Sequence, residues 1–160
     1  MFYKAGELNR QRGALLRLLI LFLMAFQTKS PKVKTIWLPV TPSIVLGRNS
    51  LVRLTSGKLT AVVAATTAVD IVGVLGRAIT AADSDYAVDR LAPVIVPTER
   101  HVEFEGDVTS GLVAADVGLE VDLTDANFVN RAAVAVKAVK CTKVLSTTRG
   151  LFMIKFNGSY

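Results

Sequence analysis

Between Leu91 and Thr124 the chain reads LAPVIVPTERHVEFEGDVTSGLVAADVGLEVDLT, and it holds a strict alternation of apolar and polar positions. The alternation runs from His101 to Val108. Val102, Phe104, Gly106 and Val108 fall on one side of an extended strand, and His101, Glu103, Glu105 and Asp107 on the other. Upstream, Ala92–Thr98 (APVIVPT) predicts an apolar strand. Pro93 and Pro97 restrict it to an edge or to short pairing, because neither has an N–H to donate. Downstream, Thr109–Gly118 predicts a single helical turn or coiled link, capped by Thr109 or Ser110 and closed by Gly118 in a left-handed conformation. Leu119–Leu123 is the next strand, and Thr124–Arg131 an Asp- and Asn-rich turn.

Feeder strands precede this stretch. Lys32–Leu38 (KVKTIWL) alternates and is rich in β-branched and aromatic residues. Pro39 and Pro42 bracket a turn or edge crossing. Leu51–Val63 predicts a hairpin turning at Ser56-Gly57, with Thr55 opposite Lys58, Leu54 opposite Leu59, Arg53 opposite Thr60 and Val52 opposite Ala61. Val52, Leu54, Leu59 and Ala61 then share the core face. Ile71–Thr80 (IVGVLGRAIT) predicts a strand in which Gly73 and Gly76 mark a bulge, a bend or a close backbone approach. A phosphate-cradling loop is excluded there, because the lysine-serine/threonine tail of a P-loop and the third glycine of a dinucleotide turn are missing. Ala132–Ser146 predicts a strand with a bulge near Val139-Lys140, and Leu151–Phe156 the closing strand.

The expected fold is all-β: a small β-barrel or sandwich of about eight short strands, with one short helical turn and an extended basic N-terminal arm. Its 160 residues fit one domain over 31–160 behind an arm over 1–30.

Charge sharpens this division. Residues 1–34 carry seven basic groups against one acid, Glu7, so the whole formal excess of +6 lies there and the body is neutral. A neutral body argues against a nucleic-acid-binding face, which would show a basic stripe. Within the arm, the uninterrupted apolar run Leu18–Phe26 is shorter than the roughly 20 residues that span a bilayer. Three readings of the arm remain open. It is a signal peptide with a poor cleavage site, a helix packing on a partner, or upstream translation over 1–23 before a start at Met24.

Candidate chemistry is sparse. One cysteine, Cys141, and one histidine, His101, exclude an internal disulfide, a thiol cage and a two-His zinc site. Cys141 reads as a buried small hydrophobe. Asp83, Asp85 and Asp89 resemble a calcium loop only superficially, without its glycine and glutamate, and read as a solvated loop against a neighbouring subunit. Glu103, Glu105 and Asp107 stand about 7 Å apart on one strand face. No apolar wall beside them is predicted to raise one pKa for acid–base work, so they read as a solvated or partner-contact face. No catalytic constellation and no cofactor or metal site is visible, and an enzyme is not expected.

The succession SGKLTAV, VGVLGRAITAADSDYA, PVIVPTERHVEFEGDV, VGLEVDL and VKCTKVLSTTRGLFMIKF, over Met24 to Phe156, resembles the capsid decoration, or cement, proteins of tailed bacteriophages. The resemblance implies a β-rich homotrimer without an active site. It would bind the major capsid protein on the outside of the virion and stabilise the expanded head, after assembly in the host cytoplasm. It implies no direct contact with nucleic acid or membrane. The basic stretch Phe26–Trp37 is then the candidate capsid contact, with Lys29, Lys32 and Lys34 meeting acidic patches and Trp37 as anchor. The row Glu103, Glu105, Asp107 is a second. A tail or head-fibre base component, or a cellular or secreted β-barrel binding module, are the alternative functions.

Overall fold

The computed structural model describes residues 26–67, 70–99 and 101–154. The arm up to residue 25 lies outside them. The body is nearly all β, as expected, with eleven strands and one 3-10 turn at Ala114–Asp116 among the described residues. They are β1 (Phe26–Thr28), β2 (Val33–Val40), β3 (Leu51–Thr55), β4 (Lys58–Ala61), β5 (Ile71–Leu75), β6 (Arg90–Pro97), β7 (Glu103–Val108), β8 (Glu120–Leu123), β9 (Phe128–Asn130), β10 (Val139–Ser146) and β11 (Arg149–Ile154).

These strands close two barrels instead of one. The first runs β2-β4-β3-β5-β6, and the second β7-β9-β8-β10-β11, closed by the β7–β9 pairing. Both have the same connectivity. In each, the first strand pairs parallel with the third and antiparallel with the fifth, and the second pairs antiparallel with the third and the fourth. The correspondence reaches single bonds. Val40 faces Leu59, and the next residue, Thr41, donates its N–H to the Leu59 carbonyl at 3.2 Å. In the second barrel Val108 faces Val129, and Thr109 donates to the Val129 carbonyl at 3.1 Å. Each first connection also folds a buried leucine over the barrel end, Leu46 bonded to Ile79 and Leu112 to Thr147.

The Ser56-Gly57 hairpin has the expected register, and both turn residues have positive φ, as a two-residue turn requires. Val52 and Leu59 face the core. Leu54, expected beside them, is exposed near the turn. Pro93 and Pro97 do not confine β6 to an edge. The bond from the Thr98 N–H to the Lys32 carbonyl sets the phase of the β2–β6 ladder, so both prolines fall at positions that bond away from β2. On the other side, β5 meets β6 at Val94 and Ile95, between the prolines. The predicted strand over 132–146 begins only at Val139, and its register shifts lie between Cys141 and Ser146. Residues 131–138 form a loop held by Asp122, whose buried carboxylate accepts the N–H groups of Ala135, Val136 and Lys137 at 2.6–2.9 Å.

One apolar cluster fills the first barrel, from Val40 and Leu46 to Val94 and Val96. The other fills the second barrel and continues onto outward-facing Leu51, Val62, Ile71 and Val74 of the first. β1 straps the two together. Placed in the arm by its sequence, it instead pairs with β7, buries Phe26 in the shared cluster, and bonds the Phe26 N–H to the Asn49 carbonyl at 3.1 Å. A strand that fills a barrel gap belongs to the body, whatever its local charge.

Candidate functional site

The sequence offers lysines 29, 32 and 34 with Trp37 as one contact set, and Glu103, Glu105 and Asp107 as another. The fold brings members of the two sets against each other. β1 runs beside β7, which sets Lys29 Nζ 2.7 Å from Glu105 Oε2. From the other flank β11 supplies Arg149, whose Nη1 lies 3.3 Å from Glu105 Oε1 and whose Nε lies 3.1 Å from Asp107 Oδ1. The carboxylates of Glu105 and Asp107 are half-covered within this cluster, and their charge is met inside the chain. Lys32 pairs with Glu99 at 2.7 Å on the surface, where such a pair contributes little. His101 is exposed at the head of the row.

Trp37 is different. It is 62% exposed on the outer face of β2. The β2–β6 register sets Trp37 opposite Pro93 and Pro39 opposite Leu91, and Leu91 is 58% exposed. The four side chains form one apolar patch across two paired strands, because an antiparallel pair brings opposed residues to the same face. Sequence reading found Trp37. Leu91, Pro39 and Pro93 escaped it, because only the register places them on that face.

The aspartate loop is internally bound. Arg90, with its side chain only 6% exposed, reaches Asp83 at 2.9 Å and also pairs with Asp85, and Lys58 pairs with Asp89. The loop therefore clasps the first barrel, and no group of three or more potential metal ligands occurs among the described residues. Asp83 is held below its ordinary pKa first by the Thr80 N–H, against the opposing effect of burial, and then by the Thr80 hydroxyl and Arg90. Cys141 is buried, and burial raises its thiol pKa, which suits a core residue and not a nucleophile.

A second clasp, unread in the sequence, holds the 3-10 turn. Buried Asp116 accepts the Val113 N–H at 2.7 Å and the Arg131 Nε–H at 2.6 Å. The Val113 N–H lowers its pKa most, burial works against it, and Arg131 adds to the lowering. A carboxyl whose folded pKa lies below its unfolded value contributes stability that is complete above the unfolded value and lost as pH falls through the folded one. We expect the melting temperature to fall as pH drops below the ordinary value of 3.8. Asp116→Asn lowers it at neutral pH and flattens that acid limb in a thermal melt series from pH 6 to pH 2. An unchanged acid limb in the variant excludes this role.

No helix of the described residues is long and apolar enough to cross a membrane. Comparison with family models, with curated proteins and with solved structures gave no match.

Proposed function

We propose that this chain is a virion structural protein that binds the outer surface of a capsid and stabilises its expanded form. The order of the fragments that resemble phage decoration proteins motivates the reading. The observation that carries it is the exposed Trp37–Pro39–Leu91–Pro93 face on a body whose Glu105 and Asp107 charges are met internally. Such a face suits a partner that desolvates an aromatic anchor. Within this reading the apolar face replaces the carboxylate row as the capsid contact.

The mechanism is linkage. A protein that binds the expanded lattice and not its precursor stabilises the expanded lattice by mass action. Many equivalent sites multiply a modest contact. No bond is made or broken, so no catalytic group is required.

The experiment is co-sedimentation of the purified chain with expanded shells from its own source. The wild-type chain is expected in the fast fraction at high copy. Leu91→Lys places a charge in the desolvated centre and is expected to weaken binding by about 2 kcal/mol, roughly thirtyfold. A wild-type chain that stays at the top of the gradient overturns the reading and brings a cellular binding module forward.

A further inference from the structure

Each barrel closes its first strand against its third over a short seam at one end, which leaves the rest of that strand edge open. In the second barrel β9 takes only Asp107 and Val108 of β7. β1 covers the remainder, antiparallel, with Phe26, Gln27 and Thr28 opposite Gly106, Glu105 and Phe104, and the Lys29 N–H on the Glu103 carbonyl. In the first barrel β4 takes only Val40 of β2. Among the described residues no strand covers the rest.

The ladder phase set by Lys32 and Thr98 turns the N–H and C=O groups of Val33, Thr35 and Trp37 away from β6, toward this open edge. None of the three makes a backbone bond on that side among the described residues. Thr35 and Trp37 are the counterparts of Glu103 and Glu105, the β7 positions that bond to the chain of β1 and Lys29. Natural proteins protect such edges with prolines, bulges or charged side chains; Val33–Leu38 has no proline and no register shift against β6, and Lys34 is its one charge.

We propose that the open edge of β2 pairs antiparallel with β2 of a second copy of this chain, about a two-fold axis at Thr35. The sequence of the strand is its own complement in this register. Thr35 meets Thr35, and Val33 of each copy meets Trp37 of the other. All three outward donors and acceptors on each copy are then used. Pro31 and Pro39 lie symmetrically about Thr35, so they face each other across the pair, and neither brings a donor that needs a partner. Shifting the register by two residues sets a proline opposite a bonding residue and loses bonds at one end. The exposed Trp37 ring covers Val33 of the partner copy, an aromatic–β-branched cross-strand contact. The assembly is two-fold, where the resemblance to decoration proteins implies three copies. It also joins two Trp37–Leu91 faces into one surface, yet it does not depend on capsid binding.

Sedimentation equilibrium of the purified chain tests the pairing. The 17.2 kDa chain is expected at twice its monomer mass. Thr35→Pro removes the central donor at a position whose N–H bonds nothing among the described residues, and is expected to give a monomer. Thr35→Lys, a change confined to the exposed face, sets two like charges opposite each other and gives the same result. Hydrogen exchange guards against misfolding. The Trp37 amide is protected in the dimer and exchanges freely in either variant, whereas the Glu105 amide, covered by β1, stays protected in all three. A wild-type monomer or trimer overturns the proposal, as does a dimer that survives both substitutions. Leu91→Lys lies off the edge, so loss of shell binding in that variant with the dimer intact separates the two readings.

Discussion

Gly73→Ala is expected to destabilise the protein by about 3 kcal/mol, at the upper end for overpacking. β5 and β6 approach so closely at Gly73 that a Cβ there would lie 2.5 Å from the Ile95 carbonyl oxygen and 2.7 Å from Val94 Cγ1. The first of these is backbone and cannot swing aside, and Ile95 is itself paired with β2 and β5. Relief therefore requires the two strands to separate, which loosens the seam between the first barrel and the shared core. Urea denaturation reads the effect as a lower midpoint at unchanged slope. Gly111→Ala is the control, since the nearest atom a Cβ would meet there is 3.8 Å away, and it is expected to stay within about 0.5 kcal/mol of wild type. Equal midpoints for the two variants would show that the close approach is not a constraint.

Removing the Phe26 ring is expected to do as much or more. Phe26→Ala deletes a fully buried aromatic at the junction of the barrels and is expected to cost about 3–5 kcal/mol. The ring lies against Gly106, where a Cβ would come within 2.7 Å of Cε1, so β7 has been left bare there to admit it. Besides the cavity, the substitution frees β1 and opens the β7 edge, so faster amide exchange at Glu103 and Glu105 is expected before global unfolding. Phe26→Leu retains much of the volume and is expected to lie between. A variant with wild-type stability would place Phe26 outside the core.

Both predictions start from residues whose sequence signals differ in kind. Gly73 sits among β-branched neighbours, and a glycine in such a strand announces either a bend or a close approach. The structure decides for the approach. Phe26 follows a basic, apolar arm and precedes Ser30-Pro31, so local pattern assigns it to the arm. Its place in the second barrel depends on pairing with residues some eighty positions later, which no local periodicity encodes.

The candidate site divides in the same way. Trp37 stands out as a large aromatic in an alternating strand, and the structure leaves it exposed instead of in the core. The carboxylates of β7 were placed on the correct face by their period. Their partners Lys29 and Arg149 arrive from β1 and β11, so whether that charge faces a neighbour or the chain itself is a tertiary matter. Asp116 and Arg131, or Asp122 and the 135–137 amides, are likewise invisible until loops close.

By itself the sequence determined the all-β class, the Ser56-Gly57 hairpin with its register, the inward face of β7 and the burial of Cys141. These follow from period-two patterning and turn chemistry, which act within a few residues. Only the tertiary structure decided that the strands close two barrels of one connectivity, that β1 completes the second, and that the matching edge of the first lies open. Parallel closure and strand addition join segments far apart in the chain, and their hydrogen bonds come from the backbone, which every sequence carries alike.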